Sequence, residues 1–344
     1  MTTATAPLAA PIPTVAARTM RAVAHRRYGE PQVLAIEDVP APSPGRGEVL
    51  VRVAAAGVTI GDHHVVTGRP YLVRVSPFGG MPRPKRIVPG GTLSGRIEAL
   101  GDGVTEVSVG DEVIGHPVAG AFGELAVVPV DRIARKPANL ELDTAAAVPW
   151  AIAALQGLRD AGRLVAGQRV LVVGASGAVG TWAVQIAKAM GGEVTAVCSE
   201  GNAALMRELG ADAVIDYRRE DYTAGTARYD LVFDLVGDRS LGDLLRVLEP
   251  RGTYVAGALG PGDWLAPMVR LAAVGLRGLF SRRRLAGLLA HPNRADLTAL
   301  VELVEAGKAR PVIARRWALT EIAAALDVVG SGRSRGQQLV RVAP

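Results

Sequence analysis

Cysteine is nearly absent from the chain: Cys198 is the only one in 344 residues. A lone cysteine excludes an internal disulfide and any zinc site built from several cysteines. Aromatic residues make up 4% of the chain, and no basic run is interleaved with them. The net charge of +6 therefore reads as a solvated arginine-rich surface, with no nucleic-acid partner expected. No uninterrupted apolar run reaches the roughly 18 residues of a membrane span, so no membrane partner is expected either. Residues 1–19, "MTTATAPLAAPIPTVAART", lack the basic start and apolar core of a signal peptide and read as a disordered leader. The expected location is the cytoplasm.

What the chain does have is apolar content, 49%, and length enough for two cores. From Met20 to about Pro137, short β-branched runs such as "EVLVRVAAAGV" and "GELAVVPV" are punctuated by glycine and proline, which predicts an all-β unit, a barrel. From Asp143 the texture turns helical, with "TAAAVPWAIAALQGLRDAG" predicting one long helix that ends at a glycine. Strands and helices then alternate through "RVLVVG", "EVTAVC", "AVIDY", "YDLVFDLVG" and "GTYVAGALG", the pattern of a parallel sheet with helices on both faces. A short strand, "GQQLVRVAP", closes the chain.

Gly174, Gly177 and Gly180 form G-x-x-G-x-x-G where the first of those strands passes into a helix. The spacing departs from the usual G-x-G-x-x-G. The placement does not: glycine lets backbone approach a pyrophosphate, and the helix start offers free N–H groups and a positive dipole end. Dinucleotide binding is the function this predicts. The next strand ends in Cys198 and Ser199, without the carboxylate that usually takes the ribose diol of NAD, which favours NADPH. Glu200 follows at once and keeps NADH open. Arg207, Tyr217, Arg218 and Arg219 are candidates to meet a 2′-phosphate. A hydrolase reading of "GASG" fails, because a nucleophile elbow needs glycine where Ala178 stands.

In order along the chain, "GEVLVRVAAAGV", "GRIEALGDGVTEVSVGDEVIG", "GAFGELAVVP", "GQRVLVVGASGAVGTWAVQIAKAMG" and "LGADAVIDY" resemble the medium-chain dehydrogenase/reductase superfamily, specifically its zinc-independent quinone oxidoreductase and enoyl reductase branch. The resemblance implies an α/β protein with a GroES-like β-barrel catalytic domain over residues 20–145, completed by 293–344. It places a Rossmann doubly wound parallel-sheet domain over 146–292, with the active site in the cleft between them. It implies hydride transfer from NADPH to a quinone, enone or other conjugated carbonyl, in a homodimer or homotetramer. The cofactor residues it marks are Gly174, Ser176, Gly177, Ala178, Val179, Gly180, Ser199, Asn202, Tyr217, Val236, Gly257 and Ala258.

Zinc alcohol dehydrogenases look similar overall. Thr59 and Gly91 stand where they carry a ligand cysteine and a ligand histidine, so no metal is expected. The zinc-independent pattern is itself altered: Thr59 replaces an Asn, Thr92 an Asp, Ala153 a Thr, and Gly201 a basic residue. These changes keep a second reading open, a member of the fold that performs non-redox chemistry or only binds.

On the substrate side, "GVTIGDHHVVTGRPY" carries the only dense titratable cluster of the first domain: Asp62, His63, His64 and Tyr71. An imidazole can donate a hydrogen bond or a proton near neutral pH, a neighbouring carboxylate can fix its tautomer, and the Thr59 hydroxyl can meet a carbonyl oxygen. Asp62 can equally cap a helix. His116 reads as a turn residue, Trp150 and Trp264 as apolar walls, and residues 264–292 as a pocket wall or subunit contact.

Overall fold

The computed structural model describes residues 18–76, 79–118, 120–258 and 281–342. Most of the expected leader, Trp264 and much of the 264–292 stretch lie outside these residues.

Seven strands open the chain: β1 (Thr19–Ala24), β2 (Ala35–Pro40), β3 (Glu48–Val58), β4 (Thr92–Leu100), β5 (Glu112–Gly115), β6 (Leu125–Pro129) and β7 (Ile133–Arg135). The long β3 organises them. Its first half pairs with β6 on one side and its whole length with β4 on the other. Along β3 the period of two divides the residues between two cores: Val49, Val51 and Val53 face one with Phe122 and Leu93, while Leu50 faces another with Met20 and Val39.

Six strands form the second sheet: β8 (Arg169–Val173), β9 (Glu193–Cys198), β10 (Ala213–Asp216), β11 (Tyr229–Asp234), β12 (Leu248–Ala256) and β13 (Arg284–Gly287). They are all parallel, in the order β10-β9-β8-β11-β12-β13. Their runs read as near-continuous apolar sequence because both faces are buried, Val170 and Val172 in one core and Leu171 and Val173 in the other. The chain order reverses at β8, which puts the loops after β8 and β11 side by side at the carboxyl edge of the sheet.

Two further strands, β14 (Ile313–Ala318) and β15 (Gln337–Arg341), return to the first sheet, β15 pairing antiparallel with the second half of β3. The return expected at residue 293 is made at Ile313. The intervening helix Arg294–Glu305 buries Leu297, Leu300, Val301 and Val304 in the core of the parallel sheet.

The long helix expected after Asp143 is broken into short pieces, Leu142–Ala145, Pro149–Ala151, Ile152–Gln156 and a π turn over Gly157–Ala161. Pro149 cannot donate to a continuing helix. Gly157 packs so tightly that a Cβ there would stand 2.4 Å from Phe233 Cζ.

The two halves are joined by side chains that no pattern reveals. Trp182 Nε1 donates to Gln337 Oε1 at 2.9 Å, and Gln337 Nε2 donates to the Ala147 carbonyl at 2.8 Å, all three residues being buried. Gln185 makes a reciprocal pair with the backbone of Arg310. Trp182→Phe leaves the Gln337 oxygen buried without a donor, and thermal unfolding should report a loss of about 1–3 kcal/mol.

Candidate active site

A cleft of about 990 Å³ runs between the two sheets. One wall is the glycine turn. Gly174 has φ +80°, a conformation glycine adopts without strain. A Cβ on Gly180 would stand 2.2 Å from the Gly174 carbonyl oxygen, so this helix can approach the strand only with glycine there. Helix α1 (Ile60–Thr67) lies across the cleft, and helix α2 (Ala178–Ala189) starts from Gly177, which makes no side-chain cap. The first-turn N–H groups of α2 therefore remain open to a phosphate. The residues present fit a dinucleotide.

Gly174, Gly177, Ala178, Val179, Gly180, Val236, Gly257 and Ala258 all line the cleft. Val236 is placed there by Asp234, whose carboxylate accepts from the backbone of Val236 and Gly237 at 3.1 and 2.9 Å and from Tyr254 Oη at 2.9 Å. Ser176 does not line the cleft; its carbonyl accepts from Gly336 N at 2.8 Å. Ser199, Asn202 and Tyr217 stand apart from the cleft lining, beyond the end of β9. There Asn202 Nδ2 donates to Ser199 Oγ at 3.1 Å, Asn202 is buried, and Tyr217 is 45% exposed.

Of the substrate-side cluster, Thr59, His63 and His64 line the cleft, with Trp150, Ala153, Leu288 and Ala290. Asp62 and Tyr71 do not. Asp62 is buried in a capping box: Thr59 Oγ1 and Thr59 N donate to its Oδ2 at 2.7 and 2.9 Å, while Asp62 N donates back to Thr59 Oγ1 at 3.2 Å. Burial pushes its carboxyl up to about 6 against the hydrogen bonds from Thr59 and Gly91. Tyr71 precedes the short helix Leu72–Val75, whose Arg74 guanidinium lies 4.6 Å from its ring centre.

Of the two roles expected of the histidines, a hydrogen bond or a proton, their surroundings favour the hydrogen bond. Burial drives His64 down to about 4 and also lowers His63, so both are neutral near pH 7. His63 is wedged against helix Ile322–Gly330, where a Cβ on Gly330 would stand 2.3 Å from its Nε2. His116 is a buried strut rather than a turn residue, its Nδ1 and Nε2 facing the carbonyls of Gly91 and Pro149 at 3.1 Å each.

The loop at residues 330–336 contributes the part of the cleft that sequence reasoning missed. Gly330, Ser331, Gly332, Ser334 and Gly336 line it, and Gly336 bridges to Gly177 of the glycine turn. Arg335 reaches over the end of β9, where a Cβ on Gly201 would stand 3.3 Å from its Nη2. Beside it Glu200 pairs with Arg219 at 2.8 Å. The run "GSGRSRG" ahead of the last strand was the available signal, glycines and cations in one loop.

Comparison with known proteins agrees with this architecture. The model for the alcohol dehydrogenase GroES-like domain matches residues 45–138, and that for a zinc-binding dehydrogenase matches 209–340. The mitochondrial NAD(P)H oxidoreductase RTN4IP1 of Danio rerio is 30% identical over 86% of this chain and 84% of its own. The chain belongs to the medium-chain dehydrogenase/reductase superfamily. The 2-methylene-furan-3-one reductase of Solanum lycopersicum is 29% identical over 94% of this chain and 80% of its own. The solved quinone oxidoreductase from Coxiella burnetii superposes with a TM-score of 0.82 at 29% identity, covering 95% of this chain and all of that one. This member is thus an NAD(P)H oxidoreductase of the quinone oxidoreductase-like group, with a GroES-like domain and a Rossmann-like parallel sheet. No helix among the described residues is long and apolar enough to cross a membrane.

Proposed function

We propose that this chain is a zinc-free, NADPH-dependent reductase of a quinone, enone or related conjugated carbonyl, working as a cytoplasmic homodimer. The observation that carries the reading is one continuous cleft in which the glycine turn faces Thr59, His64 and Trp150. The relatives include a 2-methylene-furan-3-one reductase and a quinone oxidoreductase.

The cofactor would be held by residues 174–180, Val236, Gly257, Ala258 and the 330–336 loop, and when bound it supplies a hydride. The chain's own residues do the rest. Ile60, Trp150, Leu288 and Ala290 offer apolar walls for a planar substrate and displace water from it. The neutral imidazole of His64 offers a hydrogen bond without a charge. Metal is not part of the reading, because Thr59 and Gly91 stand where the zinc enzymes it resembles carry ligands. Among the described residues no three His, Cys, Asp or Glu side chains gather as a metal site would require. The preference for NADPH is supported by Arg335, an exposed cation beside Gly201, and by the pairing of Glu200 with Arg219, which offsets the charge that would repel a 2′-phosphate.

The test is oxidation of NADPH by chelator-treated protein with a panel of quinones, enones and aldehydes. Turnover after metal removal is expected. Turnover only on adding zinc, or conversion of a substrate with the nicotinamide unchanged, overturns the reading. Light scattering reads the dimer.

A further inference from the structure

The proposed reduction needs a proton, and a role for Thr59 and Asp62 in supplying it rests on the reductase reading. Thr59 Oγ1 lies 2.7 Å from Asp62 Oδ2, so one hydrogen is shared across this gap whichever residue owns it. Both residues are buried, Thr59 at 4% and Asp62 at 5% exposed, and of the two only Thr59 lines the cleft. Gly61, a cleft residue, stands next to the hydroxyl: the position a Cβ would take there is 3.4 Å from Thr59 Oγ1 and 3.6 Å from Trp150 Cη2. Hydrogen bonds from Thr59 and the Gly91 backbone reach Asp62, and no charged side chain contributes to the shift of its carboxyl. The titratable groups on the surrounding elements are His63 and His64 on α1 itself, Asp327 on the packed helix Ile322–Gly330, Glu30, and His116, which faces the Gly91 carbonyl. Glu30 and Asp327 act on His63, and burial keeps the three histidines below the usual histidine range.

We propose that Thr59 and Asp62 form a two-residue proton relay that completes the reduction. The Thr59 O–H bond breaks and its proton bonds to the carbon or oxygen of the substrate enolate, using the electron pair left there after hydride addition. The Asp62 O–H bond breaks in turn, Thr59 recovers a proton, and Asp62 is left as a carboxylate. The two electrons that reduce the substrate arrive with the hydride; the relay moves protons only. Water entering after product release returns a proton to Asp62 along the same two oxygens. Thr59 is the catalytic residue, and Asp62 acts through it.

The experiment follows single-turnover reduction of pent-3-en-2-one by NADPH from about pH 5 to about pH 8.5. The wild-type rate should fall about tenfold per pH unit once Asp62 ionises, because only its acid form can supply a proton. Thr59→Val should lower the rate about a hundredfold or more and flatten the profile. Thr59→Ser should keep both rate and slope. Asp62→Asn should flatten the profile while its side-chain oxygen still caps Thr59 N. Should Thr59→Val fail to fold, Gly61→Ala serves instead, since it keeps the Thr59–Asp62 bond, sets a methyl against the hydroxyl and should lower the rate in a folded protein. An infrared difference titration of the cofactor-free protein reads the pair without turnover: a protonated-carboxyl band should disappear near pH 6, be missing in Asp62→Asn and be displaced in Thr59→Val. A flat wild-type profile, a Thr59→Val enzyme that keeps the wild-type slope, or a band that Thr59→Val leaves in place overturns the relay. Failure of any enone to oxidise NADPH overturns the reductase reading instead, and the infrared titration then still decides the pairing.

Discussion

Replacing Asp62 with asparagine is expected to remove a loss of stability of about 3 kcal/mol that the wild type suffers as pH rises from about 4 to about 6. The unfolded chain's carboxyl ionises near 3.8, whereas burial holds the folded carboxyl at about 6. Between these values the native state binds a proton that the unfolded state has released, so raising pH favours unfolding. Each unit of the difference is worth about 1.4 kcal/mol. Below about pH 4 both states are protonated and the term is constant; above about pH 6 it is fully lost. In Asp62→Asn the side-chain oxygen, in the place of Oδ2, accepts from Thr59 N and Thr59 Oγ1, and the side chain carries no charge at any pH in this range. Other carboxylates, such as Asp296 and Asp143, are lowered on folding and tilt the whole-protein curve the opposite way, so the informative quantity is wild type minus variant. Denaturant unfolding of both proteins across this range measures it. A difference that stays level with pH would show that Asp62 is not a buried acid.

Arg335→Ala should weaken NADPH binding by about tenfold to a hundredfold and leave NADH binding unchanged. A guanidinium on a phosphate contributes roughly 1.5–3 kcal/mol, and NADH has no 2′-phosphate to lose. The side chain is exposed and sits on a loop, so the fold should be unaffected. Tryptophan-quench titrations with both cofactors read the effect. The pair Glu200 and Arg219 supplies the control: Arg219→Ala frees the Glu200 carboxylate and should move preference toward NADH, which uses an acidic residue at this place to hold its ribose. Equal losses for both cofactors on removing Arg335 would assign it to the loop's structure and not to the phosphate.

The contrast between Gly174 and Arg335 shows what a sequence can carry. The glycine turn is legible because its constraints are local: a positive φ at Gly174, and a Gly174 carbonyl oxygen 2.2 Å from where a Cβ on Gly180 would be, act within seven residues of chain. The alternating and continuous apolar runs are legible for the same reason, since period follows from which faces are buried. Arg335 reaches Gly201 only because β15 crosses back to pair with β3 and Gly336 docks on Ser176, a juxtaposition of residues far apart in sequence. The histidines show a different limit. Their place in the cleft was readable, but their charge depends on burial, which no spacing reports. Asp62 was open to two readings, cap or acid, and the capping box with its raised carboxyl gives it the geometry of both.

A hydride passing from nicotinamide to substrate in this cleft can be followed with deuterium. Purified protein would be given NADPH carrying deuterium on one face of nicotinamide C4, then the other, with an enone or quinone that it consumes. An enone product should gain one deuterium at the β-carbon from one labelled face only, with the cofactor oxidised in equal amount. With a quinone, whose label exchanges from oxygen, that same deuterium should be lost from the cofactor. A product formed without label from either face, with the cofactor still reduced, would contradict that transfer.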